Sequence, residues 1–172
     1  MKIKFIGTAF ILLIIIHSVT AFAKNDPGQF VLELSDYNKK IQNLSDEGKL
    51  NEAIQMAEET VQFVKEEVGV NRLEYSQALS NLATLYGFNN DLNQARELYL
   101  QVIPIEKKLL GPDDLALADS YFNLGLTNAA LGQKDKALRS FQEALRIKSI
   151  YLASGDPAIK KIHDVMGSLL YD

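Results

Sequence analysis

The 172-residue chain has no cysteine, which removes disulfides, thiolate metal sites and cysteine nucleophiles together. Histidine is nearly as scarce: only His163 lies beyond residue 23. A lone histidine without cysteine cannot build a usual zinc site and reads as a surface helix residue. Nowhere does polarity alternate with period two over a useful length, so no strand is expected. No nucleophile–base spacing, phosphate loop or metal motif is present. Asp113-Asp114 and Glu58-Glu59 are adjacent carboxylates, but a helix start and an exposed helix face account for them. An enzyme, a cofactor and a small-molecule substrate are therefore not expected. Basic charge is missing too. The 18 Lys and Arg against 22 Asp and Glu disfavour a nucleic acid or an anionic membrane as partner.

What is there begins with a distinct leader. Met1-Lys2-Ile3-Lys4 is a short basic start, Phe5 to Ile16 is apolar, and Ala21-Phe22-Ala23 puts small residues where a signal peptidase reads. That order describes a secretory signal peptide over 1–23. The alternative is an uncleaved anchor, since the uncharged run from Phe5 to Ala23 approaches the ~20 residues that span a bilayer. The Ala-x-Ala site, followed at once by Lys24-Asn25-Asp26-Pro27, favours cleavage. Removing Lys2 and Lys4 with the leader takes the formal net charge from −4 to −6. The expected product is an exported protein, periplasmic or secreted, with inner-membrane anchoring as the alternative.

The remaining chain repeats itself. Asn81-Leu82-Ala83-Thr84-Leu85-Tyr86 returns 42 residues later as Asn123-Leu124-Gly125-Leu126-Thr127-Asn128. At the same step Ala53, Ala95 and Ala137 correspond, as do Tyr99 and Phe141, and Val61, Ile103 and Leu145. Such a period marks a repeat architecture, in which each unit is one supersecondary element that cannot bury its apolar face alone. Residues 24–30, with Asn25-Asp26-Pro27-Gly28, read as a flexible linker. Beyond it the apolar residues fall at helical spacing, as in Phe30, Leu34, Tyr37, Ile41 and Leu44. Helices are expected from near Phe30, then over about 50–68, 72–88, 92–110, 114–131, 134–152 and 156–171. Asn71-x-x-Glu74 is a capping-box pattern for the third. Asp156-Pro157 is a cap followed by proline at the first helical position for the seventh. Gly48, Asn90 and Gly132 occupy one repeat position, and both residue types tolerate the left-handed conformation that ends a helix. The helices therefore pair antiparallel through tight turns, as pairs at about 31–69, 71–111 and 113–153. Pro104 is the local misfit, mid-helix, at a position whose equivalents Gln62 and Arg146 point to solvent.

These residues resemble the 42-residue, kinesin-light-chain-like variety of the tetratricopeptide repeat. In that family a small residue on the first helix of a unit precedes a small residue on the second by 12 positions, as with Ala83 and Ala95, and Gly125 and Ala137. An aromatic follows four residues later, here Tyr99 and Phe141. Tyr86 fills the family's tyrosine-type position, where Asn128 departs from it. Leu110-Gly111-Pro112-Asp113-Asp114 is similar to the family's linker between units. The first unit departs, with Ile41 at the small position and Lys40 and Ala57 in place of leucine and an aromatic. The last helix, carrying Gly167, resembles a solvating cap.

The resemblance implies an all-α fold, a short right-handed α-solenoid of three antiparallel helix pairs plus a C-terminal capping helix, over 31–172. It implies a concave groove, lined by the first helix of each pair, that holds a peptide or helix of another protein. Asn81 and Asn123 match groove asparagines that bond a guest's backbone; the bland alternative is a bond within the helix pair. The same register places Gln77, Thr84 and Phe88 of the second unit, and Asp119, Phe122, Leu126 and Ala130 of the third, along the groove. Phe122 could equally tuck under the neighbouring unit. The expected function is a non-catalytic adaptor or scaffold, the alternative a membrane-tethered structural component of an envelope or secretion complex. Weak self-association through Leu169 and Leu170 of the last helix is a further expectation.

Overall fold

The structure is a computed structural model that describes residues 26–171; the leader and its cleavage site lie outside the described residues. Among the described residues seven helices follow one another: α1 (Pro27–Asp46), α2 (Leu50–Glu67), α3 (Leu73–Phe88), α4 (Leu92–Leu110), α5 (Leu115–Ala130), α6 (Lys134–Tyr151) and α7 (Pro157–Tyr171). No strand occurs among the described residues. Among the described residues the substantial packing joins helices consecutive in sequence, and the strongest other pairing is a light one between α3 and α5. A closed bundle would bring first and last helices together. This chain stacks its hairpins in single file.

The hairpin turns are three copies of one device. Gly48, Asn90 and Gly132 have φ of 73°, 64° and 70°. In each turn the next residue donates back to the carbonyl five positions earlier: Lys49 to Leu44, Asp91 to Tyr86 and Gln133 to Asn128, all at 2.8 Å. That is the bond pattern by which a left-handed residue closes a helix end. Three of the helix starts share a cap as well. Asp26, Asp114 and Asp156 each accept the backbone N–H two residues on, from Gly28, Ala116 and Ala158.

Two expectations need correction here. Most of the segment 24–30 expected as a linker is helical, because Asp26-Pro27 caps and starts α1 as Asp156-Pro157 starts α7. Asn71 and Glu74 form no capping box: α3 begins at Leu73, its N-cap is Arg72 with no side-chain bond, and Glu74 instead lies 3.7 Å from Arg72. Pro104 sits on the exposed side of α4, which is helical without interruption through it.

The core within each pair rests on one complementary contact. Gly125 lies so close to Phe141 that a methyl group there would meet the ring at 2.5 Å. One unit earlier Ala83 packs in a cluster with Tyr99, and in the first unit Ile41 shares a cluster with Ala57. The residue on the first helix is large in the first unit, where its partner is Ala, and small (Ala, then Gly) in the next two, where its partner is an aromatic ring. The first unit's departure from the repeat pattern is thus a compensated swap, since close-packed interiors tolerate changes that conserve volume. An aromatic group of its own, Phe30 and Tyr37 against Phe63, finishes that unit.

Neighbouring units are tied by Tyr86, whose hydroxyl donates to Glu58 of α2. Burial, and then that bond, push the Tyr86 phenol up to about 12. Asn128 stands at the same repeat position but faces no such acceptor, since the equivalent of Glu58 is Leu100; its buried Oδ1 has no partner. Arg146 pins the linker before α5 through Asp113 (2.7 Å) and the Pro112 carbonyl (2.9 Å).

At Gly167, by contrast, nothing among the described residues lies within 4 Å of an added methyl. The residue is small without a packing reason. Gly125→Ala should therefore destabilise the fold by about 1–3 kcal/mol through overpacking. Gly167→Ala should stabilise it by about 0.5–1 kcal/mol through reduced backbone freedom. Urea unfolding of both variants checks the pair, and equal effects would contradict the packing account.

Candidate functional site

The first helices α1, α3 and α5 bury one side against their partners and leave the other open. In α3 the buried side is Ala78, Leu79, Leu82, Ala83 and Tyr86. Gln77, Asn81 and Phe88 are exposed on the open side. Between α1 and α3 lies a cavity of about 280 Å³ lined by Leu34, Asn38, Glu74, Gln77, Ala78 and Asn81. Asn38, Gln77 and Asn81 bring three carboxamides to it, none engaged in a hydrogen bond within the protein. Each offers two donors and an acceptor, which together can satisfy a peptide unit whatever its side chain. Asn38 was not foreseen, although its position four residues after Leu34 places both on one side of α1.

The expected site residues do not form one uniform surface. Gln77 and Asn81 share the α1–α3 cavity. Thr84 is half-buried and turned inward: its hydroxyl lies 2.8 Å from that of Tyr99 and also donates to the Ser80 carbonyl. Asn123 is half-buried beside Tyr99 where Asn81 is exposed, so it is not the twin of Asn81. Burial pushes the Tyr99 phenol up, and the bonds to Thr84 and Asn123 draw it back. Phe122 tucks under the neighbouring helices: it meets Phe141 at 5.6 Å, packs with the α6–α7 cluster, and carries the Lys161 ammonium 5.0 Å above its ring. It is therefore not an open platform. Phe88 (75% exposed), Leu126 (40% exposed) and Ala130 do remain open, at the C-terminal ends of α3 and α5. Asp119 is open as well, with one oxygen 2.7 Å from Lys148. On α7, Leu169 packs into the last cluster while Leu170 stays exposed.

Sequence reasoning missed Glu106. It is 4% exposed, between α4 and α5, and its Oε2 has no partner. Burial raises its carboxyl above the ordinary value; a hydrogen bond with Ser120 opposes this, and the Asp114 and Asp119 carboxylates add to it. The signal was available, since its repeat equivalent Val64 is a core residue. A group whose folded pKa is raised contributes stability below its unfolded value, near 4.5 here, and loses it as pH rises through the folded value. Glu106→Gln should accordingly be more stable than the parent at pH 7 by roughly 1 kcal/mol. The difference should shrink on acidification and vanish below pH 4.5. Urea midpoints across that range check it, and a difference independent of pH would contradict it.

With this geometry in hand, comparison with known proteins decides the family. The tetratricopeptide repeat profile matches residues 37–108 and again 91–149. The chain belongs to the tetratricopeptide repeat family. Repeats of this family mediate protein–protein interaction, and their fold is typically a non-catalytic module. Among solved structures, BtubC (BKLC) from P. vanneervenii is similar, with a TM-score of 0.75 and 19% identity over 83% of this chain and 57% of that one. A kinesin-light-chain-like protein of Podosopora anserina with nearly identical TPR-like repeats gives 0.73 and 20% over 80% of this chain and 65% of that one. A point variant of that same protein gives the same values. This tetratricopeptide chain therefore spans about 57–65% of the length of those structures, and at such identities the likeness concerns the fold. No curated protein matches.

Proposed function

We propose that the open side of the first helices is a groove that holds a segment of another protein, and that the chain works as an adaptor or scaffold without chemistry of its own. The observation that carries this reading is the α1–α3 cavity, where Asn38, Gln77 and Asn81 present carboxamides with no internal partner. Exposed groups that converge on one cavity and satisfy nothing inside the fold are suited to a guest's backbone. The α5 end contributes differently. Asn123 is half-buried beside Tyr99, so the exposed Asn81 and Gln77 are better placed for backbone capture. The leader pattern of residues 1–23 supports export as the setting, periplasmic or secreted.

Affinity capture with the purified protein, beside a Gln77→Ala/Asn81→Ala double variant of unchanged thermal stability, tests the reading. The double variant should retain partners about tenfold more weakly or worse, the loss expected for two or three hydrogen bonds. Undiminished retention of every partner would overturn the groove assignment.

A further inference from the structure

The 42-residue register allows the groove to be compared with itself, one junction at a time. At the first junction Gln77 and Asn81 line the cavity, with Ala78 beside them and buried Val64 at the packed position behind. At the second junction the same positions hold Asp119, Asn123, Ser120 and Glu106. At the third they hold Lys161, Val165, Ile162 and Lys148, and Phe122 fills the space. A neutral amide subsite is thus followed by an acidic one and then by a plug.

The acidic subsite is under-neutralised. Glu106, Asp114 and Asp119 interact electrostatically around Ser120, and the one cation paired there is Lys148, on Asp119 at 2.7 Å. Asp119 is 65% exposed and Lys148 holds one of its oxygens, while the buried Oε2 of Glu106 bonds to nothing. An ionised carboxylate in such surroundings gains strongly from an added positive charge. Among the described residues no group of three acidic or histidine side chains is placed for a metal ion, and a guest's Lys or Arg is the cation the groove reading supplies. Further along α3 and α5, on the same open side, Phe88, Leu126 and Ala130 form an apolar edge. The groove is therefore banded across its width, from carboxylates through carboxamides to apolar side chains.

Resting on the groove reading above, we infer that the guest is a basic amphipathic segment, whose Lys or Arg lies against Asp119 of α5, over the buried Glu106 of α4, while its apolar side chains lie against Phe88 and Leu126. The charge of the chain agrees, at −6 once the leader's two lysines are set aside. Complementary charge of this kind fixes register and speeds encounter more than it adds affinity. The Phe88–Leu126 edge supplies the burial that a charge pair alone does not.

A randomised peptide library displayed on phage, selected against the purified protein, tests this. Selected peptides should carry Lys or Arg at a fixed distance from an apolar residue. Replacing that basic residue by norleucine should weaken binding about tenfold, and the penalty should shrink on Asp119→Asn and on Glu106→Gln, two changes that preserve side-chain shape. Peptides that lose binding on Gln77→Ala/Asn81→Ala, yet show no basic preference or an acidic one, would overturn this inference and leave the groove reading standing. Peptides indifferent to Gln77 and Asn81, or no selected peptide at all, would overturn both.

Discussion

One contact sets the geometry of the array: a side chain on the first helix of each hairpin against a partner on the second, in complementary sizes. Gly125 admits Phe141, Ala83 admits Tyr99, and Ile41 faces Ala57. Total volume is roughly kept, so three different residue pairs serve one repeat position. Interiors packed at crystal density leave little freedom to do otherwise. Uniform hairpins can then stack in file, each covering the apolar face its neighbour cannot bury alone.

The open face follows from the same register. Two residues along a helix is a turn of about 200°, so the position two before the buried small residue points the opposite way. Asn81 precedes Ala83 in this manner and is exposed. The helical period that buries Ala83 against Tyr99 therefore delivers a carboxamide to the outer side of α3. The step repeats at Asn123 and Gly125, but there Asn123 is half-buried beside Tyr99.

Much of this was legible in the residues. The 42-residue echo gave the hairpins, and the shared position of Gly48, Asn90 and Gly132 gave turns with positive φ. Several features were not legible, for physical reasons. The start of α1 was obscured because Asp26-Pro27 lies in a stretch rich in turn formers, where only the parallel with Asp156-Pro157 marks it as a cap. Asn71-x-x-Glu74 matches a capping box in residue types, yet α3 starts two residues after Asn71, out of reach of that geometry. Thr84 and Phe122 were placed by the repeat register of the resemblance, and register says nothing of what a neighbouring helix brings to the same spot: Tyr99 takes the first and Phe141 with Lys161 the second. Glu106 escaped notice because a charged residue in a long amphipathic helix reads as solvated until its neighbours are known.

The proposition that matters most is that polypeptide guests lie along the first helices and not on the outer second helices. Side-chain amide resonances report this directly. In ¹⁵N-correlated NMR spectra, a peptide selected for binding should shift the Nδ2 and Nε2 signals of Asn38, Gln77 and Asn81, while those of Gln62 and Gln142, exposed on the second helices α2 and α6, stay in place. Shifts confined to Gln62 and Gln142, with the three groove amides unmoved, would contradict the account.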